Sequence, residues 1–132
     1  MSYETTRATI ETRLGDNWST TDIEWPDVHY DPCDGQAYIR LAINFGDSEQ
    51  ISMGTAVRQY RHVGLLIISI FTPEDGGSKT RIGYADSISS IWRGQTLTGG
   101  IIFRSPGVTT LGKVGGWVQT NVTVPFQWDE YI

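Results

Sequence analysis

The chain reads as an α+β fold, a mixed and mainly antiparallel sheet with two helices packed on one face. Three patterns predict it: an apolar stripe at helical spacing near the start, a second such stripe in residues 78–92, and runs of period-two alternation between and after them. With 132 residues and 39% apolar composition, one domain spanning residues 1–132 is expected. It is long enough to bury about two thirds of its unfolded surface.

Residues 3–18 put Tyr3, Ile10, Leu14 and Trp18 on one helical stripe, with Glu4, Arg7, Glu11 and Arg13 elsewhere. Ser2 is placed to cap that helix, and Gly15 marks its expected fraying point. Residues 37–45 alternate, with Ala37, Ile39, Leu41, Ile43 and Phe45 on the face expected to be buried and Tyr38, Arg40, Ala42 and Asn44 on the other. The segment from Val57 to Phe71 begins polar and ends LLIISIF, which predicts a long strand running from an exposed edge into the core. After the turn of Pro73 to Gly77, a helix over 78–92 follows, with Ile82, Ala85, Ile88, Ile91 and Trp92 inward, Ser78 as its cap and Gly94 as its stop. Ile101 to Arg104, Val108 to Leu111 and Trp117 to Val124 complete the sheet.

Charge is distributed unevenly along this frame. The formal net charge is -5, with ten acids against four bases in residues 1–60 and five against six in residues 61–132. Asp16, Asp22, Glu24, Asp27, Asp31 and Asp34 fall in a stretch without Lys or Arg. It reads either as a solvated loop region or as a surface that repels DNA or docks a basic neighbour. Free nucleic acid is a poor partner for so acidic a chain. The single cysteine, Cys33, cannot close an internal disulfide, so an oxidising compartment is not required. The N-terminus lacks the apolar core of a secretory signal, and the longest apolar run, Val63 to Phe71, is too short for a membrane helix.

Catalytic signatures are sparse. HYDPCD gathers His29, Asp31, Cys33 and Asp34, but no second Cys or His pair stands at metal spacing, so no metal or cofactor is expected. There is no G-x-S-x-G elbow, and residues 105–116, SPGVTTLGKVGG, lack the order of a phosphate-binding loop and read as a hairpin connection. No catalytic residue is assigned and the chain is not expected to be an enzyme. Trp25, Trp117 and Trp128 lie on short strands or near the C-terminus, where core packing and interface exposure are equally open.

The opening SYETTRATIETRLGDNW, the middle AYIRLAINFGD, the strand VGLLIISIFTPEDGG before a helix ending SSIWRGQ, and the close GGIIFRSPGVTTLGKVGGWVQTNVTVPF resemble the small tail terminators of long-tailed phages and gene transfer agents. The resemblance covers about the full chain, apart from the C-terminal QWDEYI, whose role it leaves open. It implies a structural virion protein at the head-proximal end of the tail, made in the bacterial host cytoplasm. Such a subunit closes into a homo-hexameric ring that caps the tail tube, stops its polymerisation and offers a docking surface for a head-tail connector or stopper protein. Partners would be other copies of the chain, the tube protein and that connector, with DNA passing the lumen without specific binding and no membrane involved. A ring of six would carry a formal charge of about -30, which suits such a channel. The rival readings are another head-tail joining or tail completion protein and a small ligand-binding or enzymatic α+β domain.

A closed ring needs two unlike surfaces on each subunit. The candidates for the subunit or tube interface are Asp27, Asp31 and Asp34 of the acidic stretch, Asp47, Ile51 and Met53 of the segment GDSEQISMG, read as a projecting loop over 46–54, and Arg58, Arg61, Trp117 and Trp128. Arg58 and Arg61 are expected to pair across the boundary with Asp27, Asp31 or Asp34. Edge strands are expected at Val57 to Tyr60 and near the C-terminus.

Overall fold

The structure is a computed structural model that describes residues 2–32, 35–51, 58–74 and 77–131. Its elements run α1 (Tyr3–Asn17), β1 (Asp22–Glu24), β2 (Tyr38–Gln50), β3 (Gln59–Pro73), α2 (Gly77–Trp92), β4 (Thr96–Leu97), β5 (Ile101–Phe103), β6 (Gly107–Val114) and β7 (Trp117–Tyr131). They form a seven-stranded sheet of order β1-β2-β3-β7-β5-β4, with β6 also paired to β7. Only β1 with β2 is parallel among the described pairs, so the sheet is mixed and mostly antiparallel.

Local chemistry fixes the helices. Ser2 caps α1 as expected: the Thr5 amide donates to Ser2 Oγ at 3.1 Å, satisfying one of the orphan donors of the first turn. Gly15 does not fray the helix, which continues to Asn17. Trp25 packs over that glycine, within 3.6 Å of where a Cβ would stand. The α2 helix already includes Ser78, which therefore is a first-turn residue rather than the cap. Gly94, at φ +66°, ends it, while Arg13 of α1 donates to the Ile91 carbonyl at 2.9 Å and ties the two helices together.

One core cluster takes Ile10, Leu14 and Trp18 from α1 and Ala85, Ile88, Ile91 and Trp92 from α2. The sheet supplies Ile39 and Leu41 of β2, Leu66, Ile68 and Ile70 of β3, and Val122, Val124, Phe126 and Trp128 of β7. Register explains this selection, because Ile39 faces Ile70 and Leu41 faces Ile68, which in turn faces Val122. Side chains that share a rung share a face. Each such burial stabilises the fold by about 1.5–3 kcal/mol. Ile82, expected inward, is 39% exposed.

Alternation alone places Tyr38 on the polar face of its strand, yet it is buried. The opposite face of the sheet has a small aromatic cluster of its own, in which Tyr38 stacks on Phe71 at 4.8 Å and meets Trp117 edge-on at 5.4 Å. The Arg40 guanidinium lies over the Phe71 ring. Burial here pushes the Tyr38 hydroxyl pKa up.

The strands run longer than their apolar patterns. β2 continues to Gln50, so residues 46–50 of the expected loop are strand, entered through a register irregularity between Phe45 and Ser48. β7 likewise absorbs residues 127–131. The Gly-rich close is strand β6 followed by a tight turn, where Gly115 and Gly116 have φ +55° and +87°. Those angles suit a two-residue hairpin that other residues enter at a cost.

Gly64 is required for a different reason. Its rung lies between Phe45 and Phe126, and a Cβ there would stand 2.4 Å from Phe126 Cζ and 3.0 Å from the Asn44 carbonyl oxygen. The Phe126 ring occupies the space that a side chain would fill. Gly64→Ala is expected to cost about 2 kcal/mol, read from the denaturant midpoint, and Phe126→Leu in the same chain should recover part of the loss. An unchanged midpoint for Gly64→Ala would contradict this packing.

Candidate assembly surfaces

Among the described strands, β6 and the distal part of β2 each leave a long edge with no strand beside it. β6 pairs only with β7, and nearly all of it is exposed, including Val108 at 44% and Leu111 at 54%. Arg81 of α2 anchors it, donating to Thr110 Oγ1 at 2.8 Å. On the far side of the sheet, β1 covers β2 only from Tyr38 to Arg40. Beyond that, no described strand lies against the outer side of β2, whose residues 44–50 are all exposed. Backbone donors and acceptors on such edges are templates for another chain. The outer edges of β1 and β4 are three and two residues long, too short to compete.

These edges are not where sequence placed them. Val57 lies outside the described residues, while Gln59 and Tyr60 belong to β3, which pairs with β7 along its length and with β2 from Tyr60 to Phe71. On its outer side the C-terminal strand pairs with β6 as far as Thr123 and with β5 at Phe126 and Gln127; no described strand lies against that side of residues 128–131, in keeping with the edge expected near the C-terminus. What the sequence showed as isolated polar ends are adjacent rungs of one three-stranded arm: Gln50, Tyr60 and Glu130, then Glu49, Arg61 and Asp129, then Ser48, His62 and Trp128.

That arm is held by contacts within the chain. Arg61 donates through Nε and Nη2 to the two carboxylate oxygens of Asp129, at 3.0 and 3.2 Å, and Gln59 adds a bond at 2.7 Å. Within the subunit, Arg61 thus pairs with Asp129 of β7. His62, 6% exposed, stacks on Trp128 at 4.8 Å. Its Nδ1 meets the Tyr3 hydroxyl and its Nε2 meets Glu130, each at 3.1 Å. Both ring nitrogens are thus engaged, and the Tyr-His-Glu row joins the start of α1 to the C-terminal strand.

Trp128 is 1% exposed, so it is core and has no area to give a partner. Trp117 is half-buried against Tyr38. Asp47, Ile51 and Arg58 are exposed on the arm or at its tip. Met53 and Asp34 lie outside the described residues, as does Cys33. In the acidic corner around β1, Arg40 pairs with Glu24 and so offsets one of its charges, while Tyr30 donates a hydrogen bond to Asp22 at 3.0 Å. Asp27 sits exposed at φ +60°, and Asp31 contacts His29 at 3.0 Å in a fully solvated pair. Among the described residues no three His, Cys, Asp or Glu side chains are grouped closely enough to hold a metal ion.

Sequence reasoning missed the β6 edge and the Tyr-His-Glu row. Exposed Val108, Thr109 and Thr110 read as an ordinary strand, and nothing local says that its outer side is open. Tyr3, His62 and Glu130 are joined only by the register of β3 on β7.

A family model described as phage tail terminator protein matches residues 5–126. The rungs made by residues 127–131 lie just beyond it. No curated protein matches the chain. A solved structure 20% identical in sequence superposes with a TM-score of 0.69, covering 96% of this chain and 95% of the other. That likeness shows the fold alone. No described helix is long and apolar enough to cross a membrane.

The Arg61 guanidinium holds the Asp129 carboxyl below its usual range. Because the folded-state value is the lower one, the pair stabilises the fold above the unfolded carboxyl value of about 4, and that contribution is lost as pH falls through the depressed value. Both groups are partly solvated, so Asp129→Asn is expected to cost only about 0.5–1 kcal/mol at pH 7. The gap to the parent should close below about pH 4. Urea midpoints across pH test this, and a gap that widens in acid would contradict it.

Proposed function

We propose that this chain, which belongs to the phage tail terminator family, closes into a six-membered ring of identical subunits on the head-proximal end of the tail tube. There it stops tube polymerisation and presents the surface to which a head-tail connector or stopper protein docks. The observation that carries the reading is the family match over residues 5–126. The sheet supports it, because β2 and β6 give each subunit two different free edges, and unlike patches that meet in turn make a heterologous contact that can close.

In this reading the whole chain acts as one domain, with both helices on the same face of the sheet and the opposite face turned to neighbours. Its work is structural rather than enzymatic. Asp27, Asp31, Asp47, Ile51, Arg58, Arg61 and half-buried Trp117 are described sequence-derived candidates with surface to give to subunit or tube contacts. The acidic balance, -5 per chain, suits a lumen that DNA passes without adhering. The protein would be made in the host cytoplasm and end in the virion, or in the particle of a gene transfer agent.

Imaging particles from a strain deleted for the gene tests the proposal. Overlong tails are expected, because nothing would stop tube growth. Tails of normal length without heads would overturn termination and assign a joining or completion role instead.

A further inference from the structure

We infer that neighbouring copies of this chain join edge to edge, the free edge of β6 in one copy pairing with the free outer edge of distal β2 in the next. This rests on the ring reading above and names the surfaces that would build it.

Both edges are open over a useful length. β6 spans Gly107–Val114, and no described strand lies against the outer side of β2 from Leu41 to Gln50. Neither stretch contains a proline, so the backbone donors of each strand are intact. Apolar side chains stand on both: Val108 and Leu111 on β6, and Phe45 at 39% exposure on β2 with Ile51 at 37% just past its end. A long exposed edge with apolar groups calls for a partner, and strand addition supplies one through main-chain hydrogen bonds.

Charge selects which edge meets which. β2 carries Asp47 and Glu49. Arg61 lies on the rung beside Glu49 but is already bonded to Asp129. β6 carries Lys113, with Arg81 held against Thr110 and Glu74 among the described residues lining the hollow they share. Pairing β2 with β2 would bring Asp47 and Glu49 of two copies together, and pairing β6 with β6 would do the same for Lys113. Both two-fold alternatives therefore set like charges side by side, whereas β2 on β6 sets opposite ones. Because the two strands lie on opposite sides of one sheet, that pairing leaves a free edge at each end of any open chain and is satisfied fully only when the chain of copies closes.

Charge reversal tests it with the full chain. All three side chains are exposed, so Lys113→Glu and the double variant Asp47→Lys with Glu49→Lys should unfold at the parent's midpoint, which a denaturation curve checks first. Each variant alone is expected to need about tenfold more protein than the parent to form rings on tail tubes. The triple variant, and an equal mixture of the two variants, should recover to near the parent, since an even-numbered ring can alternate the two. Variants that assemble like the parent, or a loss that neither combination rescues, would overturn the edge pairing while the parent's ring stands. A parent that forms no ring on tubes would overturn the functional reading and the edge pairing together.

Discussion

Fifteen consecutive residues of β3, Gln59 to Pro73, have partners on β7, and the rest of the molecule is organised by that ladder. It passes through the core at Leu66, Ile68 and Ile70, which are fully buried. It then continues past the core into the arm. A one-residue slip would turn those three side chains away from Val122 and Val124 and bring Leu65 and Ile67 inward. It would also lift Gly64 out from under Phe126 and separate Arg61 from Asp129. Hydrophobic pattern, glycine position and ion pair all specify the same register, so the ladder is determined several times over along its length.

The ladder explains why some of this fold was legible in the sequence and some was not. Both helices, the alternation of residues 39–45, the apolar run of β3 and the order of elements follow from local periodicity. The far ends of β2 and β7 do not. Residues 46–50 are polar and lack an apolar stripe, and residues 127–131 add only Trp128 to the stripe of Val122, Val124 and Phe126; β3 lies between the two segments and supplies their hydrogen bonds. The same cause hid the surface chemistry. Arg61's partner Asp129 is 68 residues away in sequence, and Trp128 stayed open between core and interface because its stacking partner His62 and its edge-on neighbour Tyr3 come from distant segments.

The family is one of structural tail proteins, so the surfaces of this chain are where its function is sought. Tyr3, His62 and Glu130 form a hydrogen-bonded row at an end of the arm. Residues 127–131, beyond the family match, add the third strand there and carry both Asp129 and Glu130. A stiffened arm presents Asp47 and Glu49 in a fixed position, and a fixed edge loses less conformational entropy when a partner strand adds to it.

The most direct test is the position and copy number of this protein on assembled tail tubes, read by imaging tube ends at subunit resolution. The account predicts a closed ring of six identical subunits at one end of the tube and none along its length. Single subunits without lateral contact, or subunits decorating the tube wall, would contradict it.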